Sequence, residues 1–422
     1  MDKAKSPRKV SPWVAGVASL SLVGVAFAGG TLASFKLGDQ QALDIAAKHH
    51  IATTSAELYP PYKGDPSQNA FEIVDHLASA KQRPHSHTGS LDGTFDLARA
   101  KAALLNDDVA LALSEKLADR PNYAPKHQGN LVTMQFPEYE QLKRAAILLG
   151  ARGRIRAVEG DLDGAVGDFE RVVRIANFMD REPSLIGGLV NASLANRLLR
   201  TITETSPAFT GHPQAFARLQ AIPGALHAVD FARGVEGEAS MAVSIATHQW
   251  GPATLGSTNE NEGSPSSPYL EATRAIWGPA IVQGWADDLE EVRKAPTDPN
   301  NPGLAFPNLQ KIARAGGPAG QTAQLLTPAG SNFRKSLTSP AVYKQLAALT
   351  MVALQHRTRP DIFMTQDPFG SGPYKLLTSK DGWILYSVGN DGSDDGGVVK
   401  ADGTSHDIVV RLSGNIVTMS GH

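Results

Sequence analysis

Three aspartates, Asp391, Asp394 and Asp395, fall close together near the C-terminus, in Tyr386-Ser387-Val388-Gly389-Asn390-Asp391-Gly392-Ser393-Asp394-Asp395-Gly396-Gly397. Asp402 and Asp407 follow, the latter in His406-Asp407-Ile408. Carboxylates at this spacing repel unless a cation or solvent screens them. The interleaved glycines let the backbone take positive φ and turn its carbonyls inward. Calcium takes about six to eight oxygens, many of them Asp side chains and backbone carbonyls. Asp391, Ser393, Asp395 and Gly396 also fit the opening of a D-x-[DNS]-x-[DN]-G calcium loop, with Asp402 at its twelfth place. Two readings stand. Either Asp391, Asp394, Asp395, Asp402 and Asp407 supply ligands to Ca2+, or the stretch is a metal-free connection, since Asn-Asp-Gly is turn chemistry in its own right.

The elements around the loop are strands. Trp383-Ile384-Leu385-Tyr386 and Ile408-Val409-Val410-Arg411-Leu412 are β-branched, aromatic and apolar, so an EF-hand, which needs flanking helices, is excluded. Pro340 to His356, with Val342, Leu346, Leu349, Val352 and Ala353 at helical spacing, precedes them.

Asp367-Pro368-Phe369-Gly370, Pro373-Tyr374, Leu385-Tyr386-Ser387-Val388-Gly389, Asp391-Gly392, Gly396-Gly397 and Asp407-Ile408 together resemble the C-terminal region of the major pseudopilin of type II secretion. The resemblance covers about the last sixty residues. It implies a helix packed across a small antiparallel sheet and a calcium-binding loop, with Asp391 and Asp407 at the matching side-chain ligand positions. Asp394, Asp395 and Asp402 are additional acids. A pseudopilin leader is cut after Gly and followed by Phe-Thr-Leu-Ile-Glu, whereas this chain has Gly29-Gly30-Thr31-Leu32-Ala33-Ser34-Phe35 with no Glu. The whole layout is similar to large uncharacterised bacterial proteins with a basic start, one membrane helix, a helical middle and such a tail.

Residues 1–9 carry Lys3, Lys5, Arg8 and Lys9 against Asp2, and no charge occurs from Val10 to Phe35. An uncharged run of this length can span a bilayer, which takes roughly twenty residues. The basic flank then stays cytoplasmic and the remainder lies outside. The alternative is a cleavable signal sequence ending at Ala26-Phe27-Ala28. Either reading places the body in the bacterial cell envelope, outside the cytoplasm.

Residues 36–250 read as a helical body. Helices are expected from Asp39 to Ala47, from Asn69 to Ala80, in segments after Phe95, and from Pro137 to Glu159. Gly160-Asp161 stops one helix and starts the next, on which Leu162, Ala165, Val166, Phe169, Val173 and Ala176 share a face. Gly160-Asp161, Ala165 and Phe169 look like the second half of a tetratricopeptide unit, but only one such unit occurs and a stable array usually needs at least three, so an ordinary helical hairpin accounts for it better. Pro183-Ser184, Pro213 and Pro223 are expected to open further helices, the last reaching toward Thr247. Residues 251–335 read as an irregular linker around a helix at 269–293, with a polar loop from Gly256 to Pro268, a proline-broken stretch from Ala295 to Pro307 and loose chain from Gly316 to Gly330. Residues 336–422 form the C-terminal unit. The expected fold is mainly α, a helical-hairpin body with an N-terminal transmembrane helix and a small α+β C-terminal domain.

Other candidates are weaker. His49-His50 and His85-Ser86-His87 lack a third ligand at useful spacing, and no H-E-x-x-H, G-x-S-x-G or phosphate-loop lysine occurs. Arg152, Arg154 and Arg156, and likewise Glu236-Gly237-Glu238, read as hydrated helix surface. The chain has no cysteine, which excludes disulfides and thiolate chemistry, and its net charge of −2 gives no field to recruit nucleic acid. The expectation is a membrane-anchored extracytoplasmic interaction or structural protein with a calcium-stabilised tail, an unidentified protein partner and no catalytic role. The alternatives are an atypical pseudopilin or secretion subunit, and an extracytoplasmic hydrolase whose groups meet only in the fold.

Overall fold

A computed structural model of the chain describes residues 36–80, 95–127, 134–180, 182–247, 268–296, 298, 302–326, 330–363, 365–379, 382–398 and 406–420. The basic start and the uncharged run at 10–35, the loop from Pro84 to His87, residues 256–267 of the polar loop, and Asp402 lie outside the described residues. Among the described residues no helix is long and apolar enough to cross a membrane.

The first helices are α1 (36–48), α2 (Ser55–Leu58), α3 (Phe71–Ser79), α4 (Leu97–Leu105) and α5 (Asp108–Ala118). The central hairpin follows as α6 (Pro137–Glu159) and α7 (Leu162–Phe178). Gly160 closes α6 at φ 86°, a left-handed turn that costs glycine nothing, and the Asp161 carboxylate accepts the Gly164 N–H at 3.1 Å to start α7. The two helices touch where Gly153 leaves room for the Phe169 ring. A Cβ at position 153 would lie 2.6 Å from that ring. Ala165 and Phe169, the small residue and the aromatic expected at this contact, are both fully buried, and Gly153 on α6 is the small residue opposite them.

Next come α8 (Leu185–Thr205), capped by Ser184, and α9 (Pro213–Ala225). Pro223 does not open a helix. It sits in the last turn of α9, where its missing N–H and ring stop propagation, and α10 (Phe231–Ala246) starts afresh at the Asp230 cap. α11 (Pro268–Lys294) extends the helix expected at 269–293. The residues expected to be loose hold α12 (Pro307–Ala315) and α13 (Gly317–Leu326), and α14 (Gly330–His356) begins well before Pro340. Buried Asp288 explains α12. Its carboxylate accepts the N–H groups of Asn308 and Leu309, both at 3.0 Å, and so caps a helix that has no cap of its own in sequence.

The chain ends in a four-stranded antiparallel meander in sequence order, β1 (Lys375–Ser379), β2 (Gly382–Ser387), β3 (Ile408–Ser413) and β4 (Ile416–Ser420). In register, Trp383 faces Leu412 and Leu385 faces Val410. Leu346, Ala347 and Met351 of α14 bury one face of this sheet together with Trp383, Leu385, Val410 and Met419. The same apolar cluster continues through α8, α7 and α6 to Ile73 and Leu77 of α3. A second cluster joins α1, α10, α11, α12 and Leu337 of α14 around fully buried Trp285 and Phe306.

Two groups expected on hydrated surface are internal ties. Arg152 and Arg156, one turn apart, both donate to Asp168 of α7, at 2.8 and 3.0 Å, and Asp168 is fully buried. Arg154 points elsewhere, with its guanidinium 4.3 Å from the Phe95 ring centroid and 3.0 Å from Glu204. Glu238 accepts the Leu185 N–H at 3.2 Å, and a Cβ on Gly237 would collide with the Pro183 carbonyl, so this face of α10 packs on the start of α8.

Candidate functional site

The loop between β2 and β3 is fixed at its root by Asp367, which has only 1 % of its surface exposed. Its Oδ1 accepts the Ser387 hydroxyl at 2.8 Å and the Phe369 N–H at 3.0 Å, and its Oδ2 accepts the Val388 N–H at 3.0 Å. The Asp367 carbonyl accepts the Gly370 N–H at 3.1 Å, so Asp367-Pro368-Phe369-Gly370 is a closed turn. One side chain thus joins the connection after α14 to the end of β2. The next residue on that strand's path, Gly389, has φ 69°, and a Cβ there would fall 1.7 Å from the His406 carbonyl oxygen. Only glycine lets the two ends of the loop close this tightly.

The expected site acids divide. Asp391 is exposed, and its Oδ1 accepts the Ser393 N–H at 3.0 Å in a local turn. Asp394 Oδ1 accepts the Tyr386 hydroxyl and the Gly396 N–H, both at 3.0 Å. Burial, then the nearby Asp394 carboxylate, pushes the Tyr386 phenol up to about 12. Asp407 is buried, with Oδ2 accepting the Gly397 N–H at 2.9 Å, while its Oδ1 has no hydrogen-bond partner. Burial is the main reason its carboxyl is held above the ordinary carboxylate range; the Gly397 and Asp395 backbone N–H groups oppose the shift, and the Asp395 and Asp394 charges add to it. Asp394, Asp395 and Asp407 therefore act on one another, whereas Asp391 is occupied by its own turn. Among the described residues no three acids or histidines are gathered as a metal-ligand group.

The donor chemistry nevertheless suits a hard cation. A buried carboxylate oxygen without a hydrogen-bond donor, crowded by two further carboxylates, lacks positive charge. Asp407, Asp394 and Asp395 are the residues that could hold such a cation.

A second constellation lies in the helical body and had no motif to announce it. Glu182 is 5 % exposed and Glu138, in the first turn of α6, is 1 % exposed. The Tyr139 hydroxyl donates to Glu182 Oε2 at 3.1 Å. His127 Nε2 lies 2.9 Å from Glu138 Oε1. Aromatic rings enclose the group: Tyr59 edge-on to His127 at 4.5 Å, Phe136 edge-on to His127 at 5.2 Å and Tyr139 stacked on Phe136 at 4.9 Å. The Tyr59 hydroxyl is buried and has no hydrogen-bond partner. Burial, aided by the Glu138 charge and opposed by the Tyr139 hydroxyl and Arg233, pushes the Glu182 carboxyl up to about 8. Burial, then the Glu182 charge, raises the phenols of Tyr59 and Tyr139 far above their ordinary range, with Glu138 adding to the Tyr59 shift. Glu182 sits in the short link between α7 and α8, where sequence gives no periodicity to mark a buried acid. The nearest sequence signal is the adjoining Pro183-Ser184 helix start, which forces the chain to turn inside the body.

Of the histidines, His49 lies 3.4 Å from Glu290 of α11, where it helps dock the start of the body, while His85 and His87 lie outside the described residues.

Comparisons with protein-family models, with curated proteins and with solved structures find no match to the chain.

Proposed function

We propose that this chain is a membrane-anchored, extracytoplasmic binding protein of the bacterial cell envelope, whose pseudopilin-like C-terminal module is stiffened by calcium. The observation that carries the reading is the partnerless buried Oδ1 of Asp407 beside Asp394 and Asp395. The order of parts also supports it: a long helix, the Asp367 turn, and a sheet whose central connection is this acidic loop. The anchor rests on the uncharged run from Val10 to Phe35 behind a basic flank. The helical body then presents the surface that meets an unidentified protein partner, and the role is binding, not catalysis.

In this mechanism Asp367 fastens one end of the loop without metal. Calcium neutralises Asp407 and its neighbours and fastens the other end. The test is limited proteolysis of the full chain, wild type beside Asp407→Asn, with calcium and with chelator. Calcium should slow cleavage between β2 and β3 in the wild type only, and leave the rate of cleavage in the helical body unchanged. Identical digestion of both proteins in both conditions would sink the proposal.

A further inference from the structure

The two apolar clusters of the protein meet along α8 and α14 without fully closing. A cavity of about 180 Å³ remains between them. Ala195, Leu199 and Leu226, which belong to the first cluster, form one wall, and Val229, Phe231 and Leu337 of the second form the other. A volume of this size matches a ligand of roughly six to eight heavy atoms, since an engineered apolar cavity of ~150 Å³ takes benzene.

The lining is apolar except for Asn191, His227 and Lys344. Lys344 of α14 is half-buried at its rim, and no carboxylate among the described residues pairs with it. His227, also on the lining, has its Nδ1 2.7 Å from the Asp180 carboxylate. Burial lowers the Lys344 ammonium below the ordinary lysine range. A mostly apolar chamber, with an ammonium at its edge that pairs with no carboxylate among the described residues, has the recognition chemistry of a small amphiphilic acid, with the hydrocarbon inside and the carboxylate on the lysine.

We propose that this cavity between α8 and α14 is a binding site for a small aliphatic monocarboxylate, held by Lys344. The site is separate from the acidic loop and from the Glu182 cluster, and it does not depend on calcium.

The experiment is a calorimetric titration of the full chain with hexanoate, with hexylamine as the charge-reversed control. N-acetyl-leucine is a third probe that carries the same carboxylate on a peptide-like chain. Wild type should bind hexanoate saturably and hexylamine not at all. Lys344→Met keeps the apolar stem and removes the charge, and should weaken hexanoate binding by about tenfold or more. Ala341→Trp places a ring at an exposed position on the lining and should abolish binding without touching the core. Tighter binding of N-acetyl-leucine than of hexanoate assigns the site to a peptide C-terminus, and the reverse assigns it to a free acid. Absence of saturable hexanoate and N-acetyl-leucine binding, equal hexanoate affinity in Lys344→Met, or hexylamine binding as tight as hexanoate would each overturn the proposal.

Discussion

Replacing Glu182 with glutamine isolates the energetic effect of a buried acid. In the folded protein the carboxyl stays protonated up to about pH 8, against an ordinary value of 4.5 in the open chain. Between these values the unfolded state has released its proton and the folded state has not, so the folded state binds more protons and stability falls as pH rises. Below the lower value both states are protonated and the group contributes nothing. Above the upper one the full cost is present, ~5 kcal/mol at about 1.4 kcal/mol per pH unit. Glutamine keeps an oxygen to accept the Tyr139 hydroxyl and cannot ionise. Urea unfolding of both proteins should therefore give stabilities within ~1 kcal/mol near about pH 5, and a glutamine variant more stable by ~5 kcal/mol near about pH 9. Glu238, Asp288 and Asp407, whose carboxyls are also raised by burial, remain in both proteins and cancel in the difference. A difference that stays constant across this range would refute the burial of Glu182 beside Glu138.

Other substitutions probe the remaining ties. Asp367→Asn turns one acceptor oxygen into a donor facing the Val388 N–H, and should cost ~2–4 kcal/mol in urea unfolding with early protease cleavage of the tail. Gly389→Ala combines positive φ with a backbone collision and should lose at least ~2 kcal/mol or fail to fold, read by the thermal midpoint. Asp168→Asn leaves Arg152 and Arg156 without their shared carboxylate and should cost ~3–5 kcal/mol, whereas the exposed Asp163→Asn should stay within about 0.5 kcal/mol.

Local signals made most of the helices legible. Pro137, Gly160-Asp161 and Pro183-Ser184 punctuate the chain where the structure begins and ends α6, α7 and α8. Proline misled at Pro223 because the same residue that can open a helix can also end one, and the choice was made by Asp230 further along. α12 and α13 were illegible because their stability comes from distance in sequence. Asp288 caps α12 from across the fold, and Leu309 and Ala323 bury against α11. Arg152, Arg154 and Arg156 looked alike in sequence, but helical rotation sends two of them to Asp168 and one to Glu204 and Phe95. At the tail, spacing marked the acids but not their division of labour. Asp391 is spent on a local turn while Asp407, far along the chain, carries the partnerless oxygen. Glu182 and Glu138 meet only through tertiary packing, which no local pattern encodes.

Calorimetric titration of calcium into the full chain, beside Asp407→Asn and with magnesium as control, tests the central claim most directly. The account predicts saturable binding of about one ion, selective for calcium and lost in the variant. No binding, or equal binding by Asp407→Asn, would contradict it and leave the acidic loop as a metal-free connection between β2 and β3.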